Sequence, residues 1–515
     1  MDAPFWHKKK SKLLINSGLD FLQSGLLDSN QRPRAPQTCA LPTALNPDPF
    51  CLATDHRSEL RVQSYALSST FANFMGTFFA FRRIYRIFAQ KLREKGMKKL
   101  HITAPTRLKA DISLPASKSI SNRALIIYSL SGGDILPENL SDCDDTSVIV
   151  KALQDMPETI DIKAAGTAMR FMTAYLSVMQ GTHVLTGTER MKHRPIGILV
   201  DALRRLGAEI SYEGEEGFPP LRITGQPLQG GVLKLPGNVS SQYISALLMI
   251  GPVLKNGLTL TLQGDVISRP YIDLTLWMMR EFGADAEWTG ADTIEVKAQP
   301  YVARNYFIEN DWSGASYWYE MVALSQDKEA KVRLTGLMDG SKQGDSSVRY
   351  IFSLLGVKTI FETKEEGVPQ MVTLKKSGRR VPRLEYDFVN SPDLAQTFVV
   401  ACAMLGVKFH FTGLRTLKIK ETDRIEALKT EMRKLGYVLY DKNDSELIWD
   451  GERCEPAADC SIDTYEDHRM ALSFAPIAFQ QPVVINNPQV VTKSYPSFWD
   501  DLQAAGFEVS EISEA

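Results

Sequence analysis

The chain has 515 residues, 44% of them hydrophobic and 23% charged, with a formal net charge of -2. That composition belongs to a soluble globular protein, and the length exceeds a single ordinary core, so two domains are expected. The charge is uneven: residues 1–96 carry +7 and the remainder carries -9. An acidic body argues against a nucleic-acid partner, whose footprint is a basic patch. An anionic ligand must then be held by a local cluster of cations.

Residues 1–96 show no sustained helical or strand periodicity. They hold the run Lys8-Lys9-Lys10, a polar Pro-containing stretch from Ser29 to Phe50, and an apolar stretch Phe71–Phe81 closed by Arg82, Arg83 and Arg86. That stretch is shorter than the roughly 20 residues needed to cross a bilayer, and it follows polar sequence, unlike a secretory signal. No membrane association is expected. The segment reads as a disordered extension, or as frame upstream of a start at Met97. The six cysteines, Cys39, Cys51, Cys143, Cys402, Cys454 and Cys460, form no C-x-x-C pair and no zinc spacing. Free thiols in a reducing cytoplasm are expected, with Cys454 and Cys460 near enough in sequence to pair by spacing alone.

From residue 100 the chain repeats one unit: an apolar strand, a turn of small polar residues, an apolar helix, a strand, then a second helix. The turns are Ala116-Ser117-Lys118-Ser119, Ala165-Gly166-Thr167, Val239-Ser240-Ser241-Gln242, Asp311-Trp312-Ser313-Gly314, Asn390-Ser391-Pro392-Asp393 and Glu466-Asp467-His468-Arg469. Apolar helices follow them, such as Tyr243–Val253 and Arg469–Ala478. Second helices are expected at Leu199–Leu206 and Ile272–Phe282, and from near Asp144, Ser346, Glu421 and Tyr495, several opened by Pro, Asp, Ser or Thr. The first unit is short. Its second helix, Asp145–Met156, runs almost directly into Ile160-Asp161-Ile162, with no room for a strand pair between.

Six such units predict two domains of three, with apolar helices packed together and sheets outward. The turns at the helix starts then converge, each offering unpaired N–H groups and the positive end of a dipole, which together make an anion site. Cations stand at the same turns: Lys118 and Arg123 around Ser119, Arg170 after Gly166-Thr167, and Arg194, Arg424, Arg469 and Lys493 at other expected helix starts. One such cation is usually a solvated charge. Several at equivalent positions of a repeat imply a ligand with two phosphates, or a phosphate and a carboxylate.

The motifs themselves resemble those of enolpyruvylshikimate-phosphate synthases. Leu114-Pro115-Ala116-Ser117-Lys118-Ser119-Ile120-Ser121-Asn122-Arg123 is similar to that family's N-terminal signature, and Leu417-Lys418-Ile419-Lys420-Glu421-Thr422-Asp423-Arg424 to its second. Shorter matches lie at 165–170, 190–197, 240–242, 268–271 and 467–470. The resemblance spans about residues 100–508 and implies an α/β (α+β) fold, a two-domain inside-out α/β barrel of six strand–helix repeats. One domain would be 97–116 with 310–515, the other 117–309, with hinges near Ala116 and Glu309. Residues 1–96 would stand apart from both.

The resemblance also implies the chemistry: transfer of the enolpyruvyl group of phosphoenolpyruvate to the 5-hydroxyl of shikimate 3-phosphate, in aromatic amino-acid (chorismate) biosynthesis, by a cytoplasmic monomer. Shikimate 3-phosphate would be held by Lys118, Ser119, Arg123, Ser240, Ser241, Gln242, Ser268, Tyr271, Asp393 and Lys420. Phosphoenolpyruvate would be held by Lys118, Gly166, Arg194, Gln242, Arg424, His468, Arg469 and Lys493. Asp393 is the implied proton acceptor, with Glu421 or Lys493 supplying a proton to C3, and Lys118 beside them. No metal or cofactor is expected, since protein cations stabilise the developing charge. Taken alone, Asp393 reads as a turn residue, Glu421 as a capping acid, Asp311 as a cap and His468 as a buried helix start.

Four positions depart from the family pattern: Ala116 for Gly, Ala164 for Asn, Phe171 for Pro and Lys418 for Arg. Ala164 and the short first unit put affinity for phosphoenolpyruvate, and glyphosate sensitivity, in question. Two other readings compete. One is a binding homologue that has lost turnover; the other is the enolpyruvyl transferase acting on UDP-N-acetylglucosamine, which usually carries a reactive Cys near residues 189–194, where none stands here.

Overall fold

The computed structural model of the chain describes residues 99–132, 137–363 and 365–512. The expectations placed on residues 1–96 and Met97, and on Cys39 and Cys51, lie outside the described residues.

The connectivity recurs along the chain. The strand Gly231–Pro236 leads through the helix Ser241–Ile250 to the parallel strand Leu258–Gln263. The helix Arg269–Glu281 and the strands Ala286–Trp288 and Thr293–Val296 follow, so the sheet runs first, second, fourth, third. The sheets begun by Thr159–Asp161 and Arg383–Asp387 have the same order. In a fourth, the first strand is Lys109–Ser113, paired in parallel with the distant Lys331–Met338. The fifth is three-stranded: Lys99–Thr103, far upstream in sequence, lies between Val483–Asn486 and Glu508–Ile512.

The helices Lys118–Ser131 and Asp144–Asp155 have no sheet of their own among the described residues. Their segment makes only the isolated bridges Ala116–Asn310 and Glu138–Phe307. Beyond Asp155 the chain enters the strand Thr159–Asp161 almost at once.

Local chemistry explains the layering. Ser117, Ser240, Asp311, Asp423 and Asp467 each accept a backbone N–H from the turn they open, as capping side chains do. Apart from Arg424–Lys434, which is polar on one side, the helices they start are largely buried; Trp312–Leu324 is buried at every position but Ser313. A helix of that kind has to sit inside a core. The strands instead alternate, as in the exposed-buried pattern of Lys109–Ser113, and present one face to solvent. Two expected helices stop early because Pro252 and Pro476 bring tighter 3₁₀ turns. The α-helices end at Ile250 and Phe474, and 3₁₀ turns continue over Gly251–Val253 and Ala475–Phe479.

The buried apolar residues form two clusters. One spans residues 100–114 and 312–507, the other residues 116–308. The two passages between them lie side by side, with Ser117 N donating to Glu309 O at 2.8 Å and Asp311 N to Pro115 O at 2.9 Å. No helix among the described residues is long and apolar enough to cross a membrane.

Candidate active site

A cavity of about 310 Å³ is lined by residues from both sides of these passages. From the 116–308 side come Lys118, Ser119 and Arg123 on the opening turns of their helix, and Gly166 at the start of Gly166–Val178. Arg194 lies in the connection ahead of the helix Gly197–Arg205. Ser240, Ser241 and Gln242 stand at the start of another helix, and Ser268 and Tyr271 at the start of Arg269–Glu281. From the other side come Asp393 in the 3₁₀ turn Pro392–Leu394, then Lys420 and Glu421, Arg424 opening Arg424–Lys434, and His468 and Arg469 opening His468–Phe474. The helix starts therefore converge on one space, where backbone N–H groups favour anions.

Two expectations need correction, and one isolated reading falls away. Lys493 does not open a helix; it ends the 3₁₀ helix Pro488–Lys493 and stands behind Glu421, its Nζ 3.0 Å from Oε1. Arg194 also lies outside a helix start, because Ile196 and not Arg194 holds the residue position before Gly197. Glu421 is not a cap, since Asp423 accepts the N–H groups of Ile425 and Glu426. That frees Glu421 for Lys493 and for Arg424, whose Nη2 is 2.9 Å away. Asp311 does cap its helix, accepting from Ser313 N at 3.1 Å, and burial pushes its carboxyl up to about 6 against the pull of Arg469.

The side formed by 310–512 is densely paired. Asp393 accepts from Arg424 Nη1 and Arg469 Nη2, both at 3.0 Å, with Lys420 Nζ at 3.5 Å. Burial alone would raise its carboxyl, but Arg469, Lys420 and Arg424 outweigh that and hold it well below the usual range. Burial likewise opposes ionisation of Glu421, and Lys493, Arg424 and Arg194 overcome it. Asp467 fastens Arg424 from behind through Nε at 2.6 Å and Nη2 at 3.2 Å. Burial, with Lys118 and Arg469 nearby, keeps His468 well below its ordinary range, and neither ring nitrogen has a hydrogen-bond partner among the described residues.

The opposite side is different. Arg123 and Arg170 are buried, yet neither has a carboxylate within ion-pair distance among the described residues. Arg123 donates only to neutral oxygens of Thr275, Ser119, Ser245 and Tyr271, and lies over the Phe171 ring at 5.4 Å. Arg170 donates to Gly166 O and Pro195 O. Burial, joined for Arg170 by the charge of Arg194, lowers both guanidinium groups to about 10. Among the described residues the one carboxylate near Arg194 is Glu421, at 4.0 Å, and its guanidinium lies against Gly166. Lys118 is held above its usual value because Asp145, 3.6 Å away, and Cys143 outweigh burial. Sequence reasoning singled out Arg170 as a cation but gave it no site role. It left Asp145, Asp467 and Thr167 out, although Asp467 and Thr167 each adjoin a chosen position.

Among the departures, Phe171 packs under Arg123, Ala164 is exposed on a turn outside the cavity lining, and Lys418 pairs with Asp444 at 2.5 Å. Ala116 is buried at the crossing. Cys143, Cys402, Cys454 and Cys460 are all free thiols.

Comparisons with known proteins bear on the family and the fold. The family model described as EPSP synthase (3-phosphoshikimate 1-carboxyvinyltransferase) matches residues 102–161 and 155–502. Its two matched segments meet where the helix ending at Asp155 runs into Thr159–Asp161. A 3-phosphoshikimate 1-carboxyvinyltransferase of Bacteroides fragilis is 62% identical over 409 residues, covering 79% of this chain and 98% of its own. One from Shewanella halifaxensis is 34% identical over 437 residues, covering 79% and 99%. An EPSP synthase structure from Acinetobacter baumannii superposes with a TM-score of 0.65 at 23% identity, covering 80% of this chain and all of that one, which speaks for the fold. The chain belongs to the EPSP synthase family.

Proposed function

We propose that the chain transfers the enolpyruvyl group of phosphoenolpyruvate to the 5-hydroxyl of shikimate 3-phosphate and releases phosphate, a step in aromatic amino-acid biosynthesis. The observation that carries this reading is the imbalance of charge across the cavity. Among the described residues, Arg123 and Arg170 are buried without a carboxylate partner and Arg194 has only a distant one, while the facing cations are matched by Asp393, Glu421 and Asp467. Buried charge of one sign calls for a ligand of the other, and these two substrates bring two phosphates and two carboxylates.

In this reading Lys118, Ser119, Arg123, Ser240, Ser241, Gln242, Ser268, Tyr271, Asp393 and Lys420 hold shikimate 3-phosphate. Lys118, Gly166, Arg194, Gln242, Arg424, His468, Arg469 and Lys493 hold phosphoenolpyruvate. Asp393 takes the proton of the 5-hydroxyl as its oxygen attacks C2, and C3 gains a proton from Lys493 or Glu421. The tetrahedral intermediate then expels phosphate while C3 returns its proton. Lys118, Arg194, Arg424 and Arg469 stabilise the charge that develops.

The fold reading extends this to six units in an inside-out barrel, the first without its sheet. Residues 97–116 with 310–515 and residues 117–309 would close on the substrates about Ala116 and Glu309 and exclude water. The chain would act as a monomer in the cytoplasm. The test is phosphate release by the purified chain with both substrates at millimolar concentration. Release dependent on both supports the reading. Tight binding of both without release replaces it with a binding homologue.

A further inference from the structure

Behind the cavity wall, one buried carboxylate touches both sides of the molecule. Asp345 lies in the 3₁₀ turn Gly344–Ser347 and is 3% exposed. Its Oδ1 accepts the hydroxyl hydrogen of Tyr271 at 3.0 Å, and its Oδ2 accepts that of Ser313. Tyr271 opens the helix Arg269–Glu281 on the 116–308 side, whereas Ser313 opens Trp312–Leu324 on the other. Both hydroxyl-bearing residues line the cavity; Asp345 does not.

The turn that carries Asp345 is anchored from two directions. Glu309, on the returning passage, accepts from Trp312 Nε1 at 2.7 Å, Met338 N at 2.9 Å, Ser341 Oγ at 2.7 Å and Gln343 Nε2 at 2.8 Å. Gln343 Nε2 also donates to Asn310 O at 2.8 Å. In the other direction Gly344 lies flat on Pro270, where an added β-carbon would stand 2.8 Å from Pro270 Cβ. The carboxylate is thus fixed between the crossing passage and the start of the Tyr271 helix. Tyr271 cannot leave it without abandoning a charge-assisted bond and stranding a buried acceptor.

We infer that Asp345 is a positioning residue for the shikimate-phosphate end of the cavity: it holds the Tyr271 hydroxyl in register with the side that carries Asp393. This rests on the proposed placement of Tyr271 against shikimate 3-phosphate. Asp345 touches no substrate in this account and acts through Tyr271. Its loss therefore weakens one substrate selectively, which a general loosening of the fold would not do.

The test combines D345N, Y271F and the double variant. Calorimetric titration with shikimate 3-phosphate, steady-state KM for each substrate and thermal midpoints are measured for each. D345N and Y271F are each expected to weaken shikimate 3-phosphate by roughly tenfold, the scale of a hydrogen bond to a charged group. The KM for phosphoenolpyruvate should stay within about twofold, and the double variant should be no more than about twofold worse than the weaker single one. Weakening by Y271F but not by D345N overturns the inference and leaves the substrate assignment standing. Unchanged affinity in Y271F overturns that assignment and the inference with it. Equal weakening of both substrates with a fallen thermal midpoint makes Asp345 structural only and overturns the inference. If D345N does not fold, Q343M, which loosens the turn but keeps the carboxylate, reads the same coupling. It should cost about threefold in shikimate 3-phosphate alone, and an equal loss for both substrates overturns the inference.

Discussion

The Nζ of Lys493 lies 3.0 Å from Oε1 of Glu421, so the two groups proposed to deliver a proton to C3 of phosphoenolpyruvate form one ion pair. Glu421 is held ionised, burial being outweighed by Lys493, Arg424 and Arg194. An ionised carboxylate has no proton to give, which favours the ammonium of Lys493 as donor. Lys493→Met should lower kcat by about 10²–10⁴-fold, the usual worth of a positioned acid, and Glu421→Gln should lower it less. Steady-state kcat for both variants decides the matter; a larger loss in the Glu421 variant would assign the proton to Glu421.

Asp393 predicts two pH effects. Its native carboxyl is held below the unfolded value, so its stabilisation is present above about pH 4 and is lost as pH falls through the native value. Asp393→Asn should therefore destabilise the protein at pH 7 by about 1–3 kcal/mol, after discounting for partial exposure. The difference should vanish in denaturant titrations well below pH 4. Bound phosphate and carboxylate will compete for Arg424 and Arg469 and let the carboxyl rise. The acidic limb of kcat should then lie at higher pH than that of kcat/KM, and coincident limbs would count against Asp393 as the base.

A β-carbon at Gly166 would stand 2.6 Å from Nη1 of Arg194. The guanidinium ends a flexible side chain, so it can move while the helix stays in place. Gly166→Ala should raise KM for phosphoenolpyruvate by about 10–100-fold through that misplacement. Shikimate 3-phosphate affinity should change by less than about twofold. Calorimetric titration with each substrate checks this, and equal losses would mean that Arg194 serves both.

Glu320 is fully buried in the helix Trp312–Leu324, and neither carboxyl oxygen has a hydrogen-bond partner among the described residues. Burial pushes its carboxyl well above the usual range. With a raised native value, its stability is fully present below the unfolded value near 4.3 and falls as pH rises toward the native one. Glu320→Met removes that liability at similar volume. It should stabilise the protein by roughly 1–3 kcal/mol at pH 7–8 and less at pH 4–5. Denaturant midpoints at the two pH values measure the difference.

Much of this was readable from the chain. The small polar turns ahead of apolar runs marked where helices start, because capping is local and depends on one side chain and the next two or three N–H groups. The short span between Asp155 and Thr159 announced a unit without its own strand pair, since a hairpin needs residues to build it. Helix ends were less legible at Pro252 and Pro476, where the chain tightens to 3₁₀ turns and stays helical in pattern. Taken alone, Glu421 resembles a cap, but Asp423, two residues on, takes the N–H groups of Ile425 and Glu426.

Determined by sequence alone were the helix-start positions of Lys118, Arg424 and Arg469, the two long signatures that mark the family, and the alternation that turns one face of each sheet outward. These are properties of residues close in the chain. Tertiary structure alone decided which charges meet: Arg424 with Asp393 and Asp467, Lys493 with Glu421, Asp345 with Tyr271 and Ser313. It also left Arg123 and Arg170 without a carboxylate among the described residues. Pairing depends on distances between segments tens to hundreds of residues apart, and burial sets how strongly each pair or vacancy counts.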